Sequence, residues 1–263
     1  MSKYALKTLL QEVQKSAAKA AQFQLNELHR FKAQDIVYKG RNDLVSYVDK
    51  QTEEMLVADL SRLLPEASIL AEEQAAGSTK ALEWVIDPLD GTTNYLHRLP
   101  VFSISIALRE NGNEIAGLVY EANKHECFYA WENGGAFCND EKIQVSPNQS
   151  IAQSLIATGF PYELLDKTDA YFEIMKDLLK TSHGLRRFGS AAVDLCYTAC
   201  GRFDGYFEFN LKDWDIAAGA LIVKEAGGIV SDFNGGTDFH SGKEILAAGG
   251  IHQDLLKAIQ KHW

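Results

Sequence analysis

No apolar run in the chain approaches the roughly 20 residues that a membrane-spanning helix needs, which excludes such a helix. Positive charge is also in short supply. Lys and Arg number 26 against 36 Asp and Glu, a formal net charge of -10. Non-specific nucleic-acid binding needs cationic side chains to displace counterions, so nucleic acid is not a required partner, although a local basic patch remains open. The four cysteines (Cys127, Cys138, Cys196, Cys200) form no C-x-x-C pair. Cys196 and Cys200 sit four apart in an apolar helical stretch, so the expectation is buried free thiols in a reducing compartment. The first residues alternate charged and apolar side chains and lack a continuous signal-peptide core. The resulting expectation is a soluble, cytoplasmic protein with no membrane association. No internal repeat or low-complexity linker divides the chain.

What is present is globular. Of 263 residues, 46% are hydrophobic and 24% charged, which excludes a disordered or fibrous chain. Apolar spacing predicts helices over 4–30 and 48–64. A short buried strand follows over 84–86, ending at Asp87-Pro88, and then strands over 101–108, 115–120 and 126–131. The second half reads as strands over 154–158, 206–209, 229–232 and 245–248. Between them lie helices over 170–179, 190–200, 214–226 and 255–261. Strands and helices intermix without a regular βαβ period, so the expected class is layered α+β rather than a doubly wound fold. Two sub-regions, 1–147 and 148–263, are expected to share one interface and form one compact unit.

Chemistry concentrates in Trp84-Val85-Ile86-Asp87-Pro88-Leu89-Asp90-Gly91-Thr92-Thr93-Asn94. An apolar strand delivers Asp87 to its end, Pro88 forbids a continued ladder, and Gly91 permits a tight turn. Asp87 and Asp90 can then point into one small volume, where they repel unless a proton or a cation intervenes. Oxygen ligands without nearby His or Cys favour Mg²⁺ or Ca²⁺, and the Leu89 carbonyl could add a third oxygen. A helix starting at Gly91-Thr92-Thr93 would offer free N–H groups to an anion. The bland alternative is that D-P-x-D-G is simply a good turn. Glu72-Glu73 after an apolar stretch, and Asp215 opening an amphipathic helix, are each unremarkable singly. Their co-occurrence with the Asp87/Asp90 turn points to a metal-assisted phosphate site.

These segments, EE, WVIDPLDGTTNYLHRLP and WDIAAGALIVKEAGG, in this order, resemble the inositol monophosphatase family, its bacterial members above all. The resemblance runs over nearly the whole chain. It extends to Lys39-Gly40-Arg41-Asn42-Asp43-Leu44-Val45 with Asp49, to Ala157-Thr158-Gly159-Phe160-Pro161 and to Arg187-Phe188-Gly189-Ser190-Ala191-Ala192. It implies a layered α-β-α-β-α sandwich, usually a homodimer, and a Mg²⁺-dependent, lithium-sensitive phosphomonoesterase with two to three metals per site. By motif position, Glu72, Asp87 and the Leu89 carbonyl match ligands of a first metal, and Asp87, Asp90 and Asp215 those of a second. A third, weaker site would use Glu72. Asp49 and Thr92, with Glu72, match the catalytic set that orients and deprotonates a metal-activated water for direct attack. Gly91 and Thr92 match the phosphate-binding groups. Asp90, Gly189, Ser190, Ala191, Glu208 and Asp215 match positions lining the substrate pocket, and Glu73 and Lys39 supporting positions. The family often reads G-T-A where this chain has Gly189-Ser190-Ala191, which touches the shape of the sugar pocket, not the chemistry.

The substrate implied is inositol 1-phosphate. A 3′(2′),5′-bisphosphate nucleotidase is the first alternative. There the turn motif typically runs on to Lys-Glu, whereas Thr93-Asn94 stands here. A sugar or NADP phosphatase shares the same core. A regulatory binding protein on this fold is the alternative of another class. His97 reads as a surface or structural residue. Lys39-Gly40-Arg41 reads equally as a solvated loop or a cationic lid, and the role of Arg186-Arg187 stays open.

Overall fold

Leu6, Leu10, Val13, Ala17 and Ala20 lie three or four apart and are all buried, which makes one stripe of a long helix. That helix is α1 (Lys3–Leu28). The structure, a computed structural model, describes residues 3–28, 30, 37–38, 44–73, 80–160, 166–241 and 243–263. A two-stranded ribbon, β1 (Val37–Tyr38) with β2 (Leu44–Val45), leads into α2 (Tyr47–Leu63). Lys39, Gly40, Arg41, Asn42, Asp43 and Pro161, singled out from sequence, lie outside the described residues.

A seven-stranded sheet follows in simple sequential order. It comprises β3 (Ser68–Ala71), β4 (Leu82–Asp90), β5 (Ser103–Glu110), β6 (Asn113–Glu121), β7 (Glu126–Trp131), β8 (Gly135–Cys138) and β9 (Glu141–Ile143). Its two faces are sorted by the period of two along each strand. Ile104, Ile106 and Leu108 of β5 join the cluster that includes Leu10, Val13, Leu56 and Leu60 of α1 and α2. Ala107 of β5 and Val85 of β4 point the other way, into a second cluster.

That second cluster is built on two central helices, α5 (Ala191–Ala199) and α6 (Asp213–Glu225). Every residue from Ile216 to Val223 is buried, the signature of a core helix rather than a surface one. Small residues let it sit this close. A Cβ on Gly219 would come within 2.6 Å of Leu195, and one on Gly117 within 3.0 Å of the Ala218 backbone. On the far side lies a five-stranded sheet. It contains β10 (Leu155–Thr158), β11 (Gly184–Arg186), β12 (Gly205–Phe209), β13 (Ile229–Ser231) and β14 (Glu244–Ala248), in the order β11-β10-β12-β14-β13. Ala157, Tyr206, Ile245 and Ala247 face α5 and α6. Ile156, Phe207, Leu246 and Ala248 face outward, onto α4 (Thr168–Thr181) and α7 (His252–Gln260). The layers therefore run helix, sheet, helix, sheet, helix, as expected.

Two local expectations need correcting. The strand expected to stop at Asp87-Pro88 continues to Asp90, which pairs with Ser103. The register slips between Asp87 and Asp90, and such a bulge is where a residue without an N–H is tolerated in a sheet. Strands β1, β2, β8, β9 and β11 were not expected. Each has two to four residues, too few to show a period.

Candidate active site

Residues on one face of a strand share a destination. Asp87 of β4 lies on the same face as Val85 and so aims toward α6, and Glu208 of β12 lies on the same face as Tyr206 and aims back from the other sheet. The first turns of α5 and α6 lie between these two sheets. The N-terminal ends of these helices carry partial positive charge. The site is therefore the place where two strand ends and two central helix starts meet.

The β4 bulge throws Asp90 across onto α5. Its Oδ2 accepts from Ser190 Oγ at 2.6 Å and from the Ala192 N–H at 2.8 Å, and Oδ1 accepts from the Ala191 N–H at 3.3 Å. The Ser190-Ala191-Ala192 segment thus cradles Asp90. After the bulge, Gly91 takes φ +95°, and a Cβ there would meet Val101 O at 3.1 Å and Gly189 O at 3.2 Å; glycine is needed on both counts. The helix expected after it is α3 (Thr92–Leu96), only five residues long, so the longer dipoles at the site belong to α5 and α6.

Thr92 Oγ1 lies 3.0 Å from Leu89 O and 3.2 Å from Asp49 Oδ1. Asp49 is buried near the start of α2, where its Oδ2 accepts from the Ser46 N–H at 2.9 Å and Ser46 Oγ at 2.7 Å. Asp87 Oδ1 accepts from the Leu89 N–H at 2.9 Å, and Asp215 Oδ2 from the Lys212 N–H at 2.6 Å. Glu72 follows β3, its N–H bonded to Ile86 O at 3.3 Å, and the Glu73 N–H donates to Glu53 Oε2 at 2.8 Å.

The electrostatics are those of a crowded anionic pocket. Burial first, then the like charges of Glu72, Asp90 and Asp215, push Asp87 well above the usual carboxylate range. Burial and Asp90 do the same to Asp215. Burial raises Asp90 to about 6 despite its hydrogen bonds. Burial raises Asp49 too. Glu208, half-buried at the pocket wall, is raised by burial to about 7, with the Tyr206 hydroxyl at 2.6 Å and Arg187 pulling the other way.

Among the described residues, no three His, Cys, Asp or Glu side chains are gathered tightly enough to hold a metal ion as they stand. The donor chemistry nonetheless fits a hard divalent cation. It is all oxygen, and the charges acting on Asp87 are all negative.

A model of the inositol monophosphatase family matches residues 6–263. The chain belongs to that family. The family is a phosphatase superfamily, and this member is 44% identical over 225 residues to the Nus factor SuhB of Pasteurella multocida, covering 84% of each chain. It is 37% identical over 256 residues to the inositol-1-monophosphatase of Mesorhizobium japonicum, covering 96% of each. Among solved structures, the extragenic suppressor protein suhB of Bartonella henselae superposes with a TM-score of 0.91 at 37% identity, covering 98% of this chain and 100% of that one.

Several residues around this family's site were missed from sequence. Ser46 caps α2 and pins Asp49; the S-x-x-D spacing of a capping box was there to be read. Asn94 Nδ2 donates to Val101 O at 2.8 Å and Phe188 O at 2.7 Å, stitching the turn to the Gly189 segment. Gln24 Nε2 donates to Pro88 O at 2.7 Å. Asn94 stands in the quoted motif, but its bond to Phe188, like that of Gln24 to Pro88, joins residues distant in the chain and leaves no local signal. His97 is exposed. Arg187 lies over the Phe160 ring at 5.5 Å, and Arg186 Nη1 donates to Leu185 O. All four cysteines are free, with Cys127 and Cys196 buried, and burial pushes both thiols up. No helix among the described residues is long and apolar enough to cross a membrane.

Proposed function

We propose that the chain is a Mg²⁺-dependent phosphomonoesterase acting on inositol monophosphate, releasing inositol and phosphate by direct attack of water. What supports this reading is that Asp87 at the β4 bulge and Asp215 in the first turn of α6 are buried, and that Glu72 and Asp90 act on both of them as like charges. Asp87, Asp90, Asp215, Glu72 and the Leu89 carbonyl would hold the metals. Bound there, Mg²⁺ supplies Lewis-acid charge neutralisation, without which the pocket would repel a phosphate dianion.

The chain's own residues do the rest. Thr92 Oγ1 sits within reach of Asp49 Oδ1, so the hydroxyl can take a proton from water as it passes its own to Asp49. Burial makes Asp49 a stronger base than a solvated carboxylate. Ser46 holds the other Asp49 oxygen and fixes the direction of acceptance. Gly91 and Thr92 face the phosphate. Glu208 accepts a hydrogen bond from a substrate hydroxyl, and Gly189, Ser190 and Ala191 line the same pocket, the latter two through their hold on Asp90. Glu73 supports the metal ligands through α2. A covalent route through Asp87 or Asp90 is disfavoured, since metal-ligating carboxylates are poor nucleophiles. The setting we infer is a bacterial cytoplasm and the working state a homodimer.

The test is a phosphate-release screen over polyol, nucleotide and sugar phosphates. The expected result is fastest release from inositol 1-phosphate, lost in excess EDTA and inhibited by Li⁺. Full activity in EDTA would overturn the metal reading. A preference for adenosine 3′,5′-bisphosphate would assign the nucleotidase alternative instead. A second reading rests on the name Nus factor carried by relatives 40–44% identical to this chain: a non-catalytic role that a turnover-dead variant would retain.

A further inference from the structure

Strand β5 reaches across to both helices that frame the site. Its residues 103, 105, 107 and 109 share the face turned toward α5 and α6. Ser103 Oγ lies 3.3 Å from Ser190 Oγ at the start of α5. Ser105 Oγ donates to Trp214 O at 3.1 Å, inside the first turn of α6. Arg109, 6% exposed, donates from Nη1 to Asp213 Oδ2 at 2.7 Å and from Nε to Glu114 Oε1 at 3.0 Å. Asp213 is the first residue of α6 and Asp215 the third. The β5–β6 register slips between Leu108 and Arg109, so that Arg109 faces Glu114. Such a bulge re-aims a side chain. His240 closes the group, with Nδ1 3.1 Å from Arg109 Nη2 and 3.2 Å from Asp213 Oδ1, and Nε2 2.9 Å from Glu114 Oε1.

We propose that Arg109 is a positioning residue for the metal site: by tying the β5–β6 hairpin to the first residue of α6, it sets where Asp215 points. The proposal rests on the metal-dependent reading above. The planar guanidinium can serve two carboxylates in fixed directions at once, which a lysine ammonium cannot do with the same geometry. With Ser105 it gives the first turn of α6 two anchors on one strand. A rotation of that turn would swing Asp215 away from Asp87 and Asp90.

Charge and position make opposite forecasts. Arg109→Gln removes a positive charge beside an anionic pocket, so electrostatics alone would tighten cation binding. Loss of positioning would weaken it. The measurement is Mn²⁺ binding to the full chain without substrate, followed by the loss of the free Mn²⁺ electron-spin resonance signal. Positioning partners of metal ligands typically govern about 10- to 100-fold in affinity, and Arg109→Gln is expected to weaken Mn²⁺ binding by that much. Arg109→Lys should recover part of the loss. Ser105→Ala, an uncharged change that leaves the buried ion pairs whole, is expected to weaken binding by a smaller factor, and it carries the test if Arg109→Gln fails to fold. Unchanged or tighter binding by a folded Arg109→Gln chain would overturn the proposal. If that variant does not fold, unchanged binding by Ser105→Ala does so. A wild-type chain that binds no Mn²⁺ would overturn this proposal and the metal reading together, whereas wild-type binding with no effect of either substitution overturns this proposal alone.

Discussion

Asp213 and Asp215 are two residues apart in the first turn of one helix, and their environments push them in opposite directions. His240 and Arg109 hold Asp213 well below the usual carboxylate range against the cost of burial. Burial and Asp90 drive Asp215 well above it. Their surroundings extend the contrast. Glu114, although half-buried, is held at about 2 by His240 and Arg109, while Asp87 among its acidic neighbours is raised. One acidic group has its cations built in. The other is a set of buried carboxylates, and the charges that act on Asp87 and Asp215 are negative, an arrangement costly for stability. Carboxylates perturbed by burial and by one another mark a candidate functional site.

The contrast breaks first on turnover. Asp215→Asn and Asp87→Asn are each expected to lose about 10³-fold or more, several kcal/mol of transition-state stabilisation, and yet to unfold at a higher temperature than wild type when metal-free, because each relieves repulsion. Asp213→Asn should lower the metal-free melting temperature, since it strips a buried arginine of one partner. Near-wild-type turnover of either site variant at saturating Mg²⁺ would remove that residue from the ligand set. Matching shifts in melting temperature for Asp213→Asn and Asp215→Asn would erase the comparison. Asp90→Asn is a less clean relief, because with its carbonyl kept toward Ser190 Oγ and the Ala192 N–H the new amide NH2 would face the Ala191 N–H.

A smaller effect is expected at the pocket wall. Glu208→Ala should lower kcat/KM for inositol 1-phosphate by roughly 10- to 150-fold, the equivalent of one charged hydrogen bond at about 1.5–3 kcal/mol. A small aryl phosphate without hydroxyls should be hydrolysed nearly as before. Equal losses on the two substrates would point to damage at the metal site, and no loss on either would make Glu208 a passive strand end.

The smallest effect is on stability against pH. Asp90 at about 6 and Glu208 at about 7 lie above ordinary carboxylates, so the folded chain holds protons that the unfolded chain releases. Their stabilising protonation is complete below the ordinary carboxylate pKa and is lost as pH rises through 6 to 7. The melting temperature in EDTA should therefore fall by a few degrees between pH 5 and pH 8, and saturating Mg²⁺ should flatten the slope. A metal-free melting temperature that climbs over this range would contradict the reading of the pocket.

Much of this was legible in local pattern. The stripe on α1 and the alternation in β5 each carry a period that the fold obeys, because each side chain's face follows from backbone geometry, whereas α6, read as amphipathic, is buried at every position from Ile216 to Val223. The Asp87-Pro88-Leu89-Asp90-Gly91 turn was readable as a place where two carboxylates meet. Its form was not. Pro88 argued for a strand end, whereas the bulge and the pairing of Asp90 with Ser103 keep the segment in the sheet. The shortest strands escaped because two to four residues cannot display a period.

Sequence reading could name the acidic residues but not sort them. Asp213 and Asp215 look alike as acids in a helix's first turn, a placement that the helix dipole favours for either. What separates them is a guanidinium 104 positions back along the chain and a neighbour at Asp90. The cradle that Ser190 and Ala192 make for Asp90 likewise joins residues about a hundred apart. Local propensity acts through neighbours a few residues away, and so it specifies which elements form and which face they bury. Whether a buried charge meets a cation, a hydrogen-bond donor or another charge depends on which elements pack together, and only long-range burial of two sheets against α5 and α6 settles that.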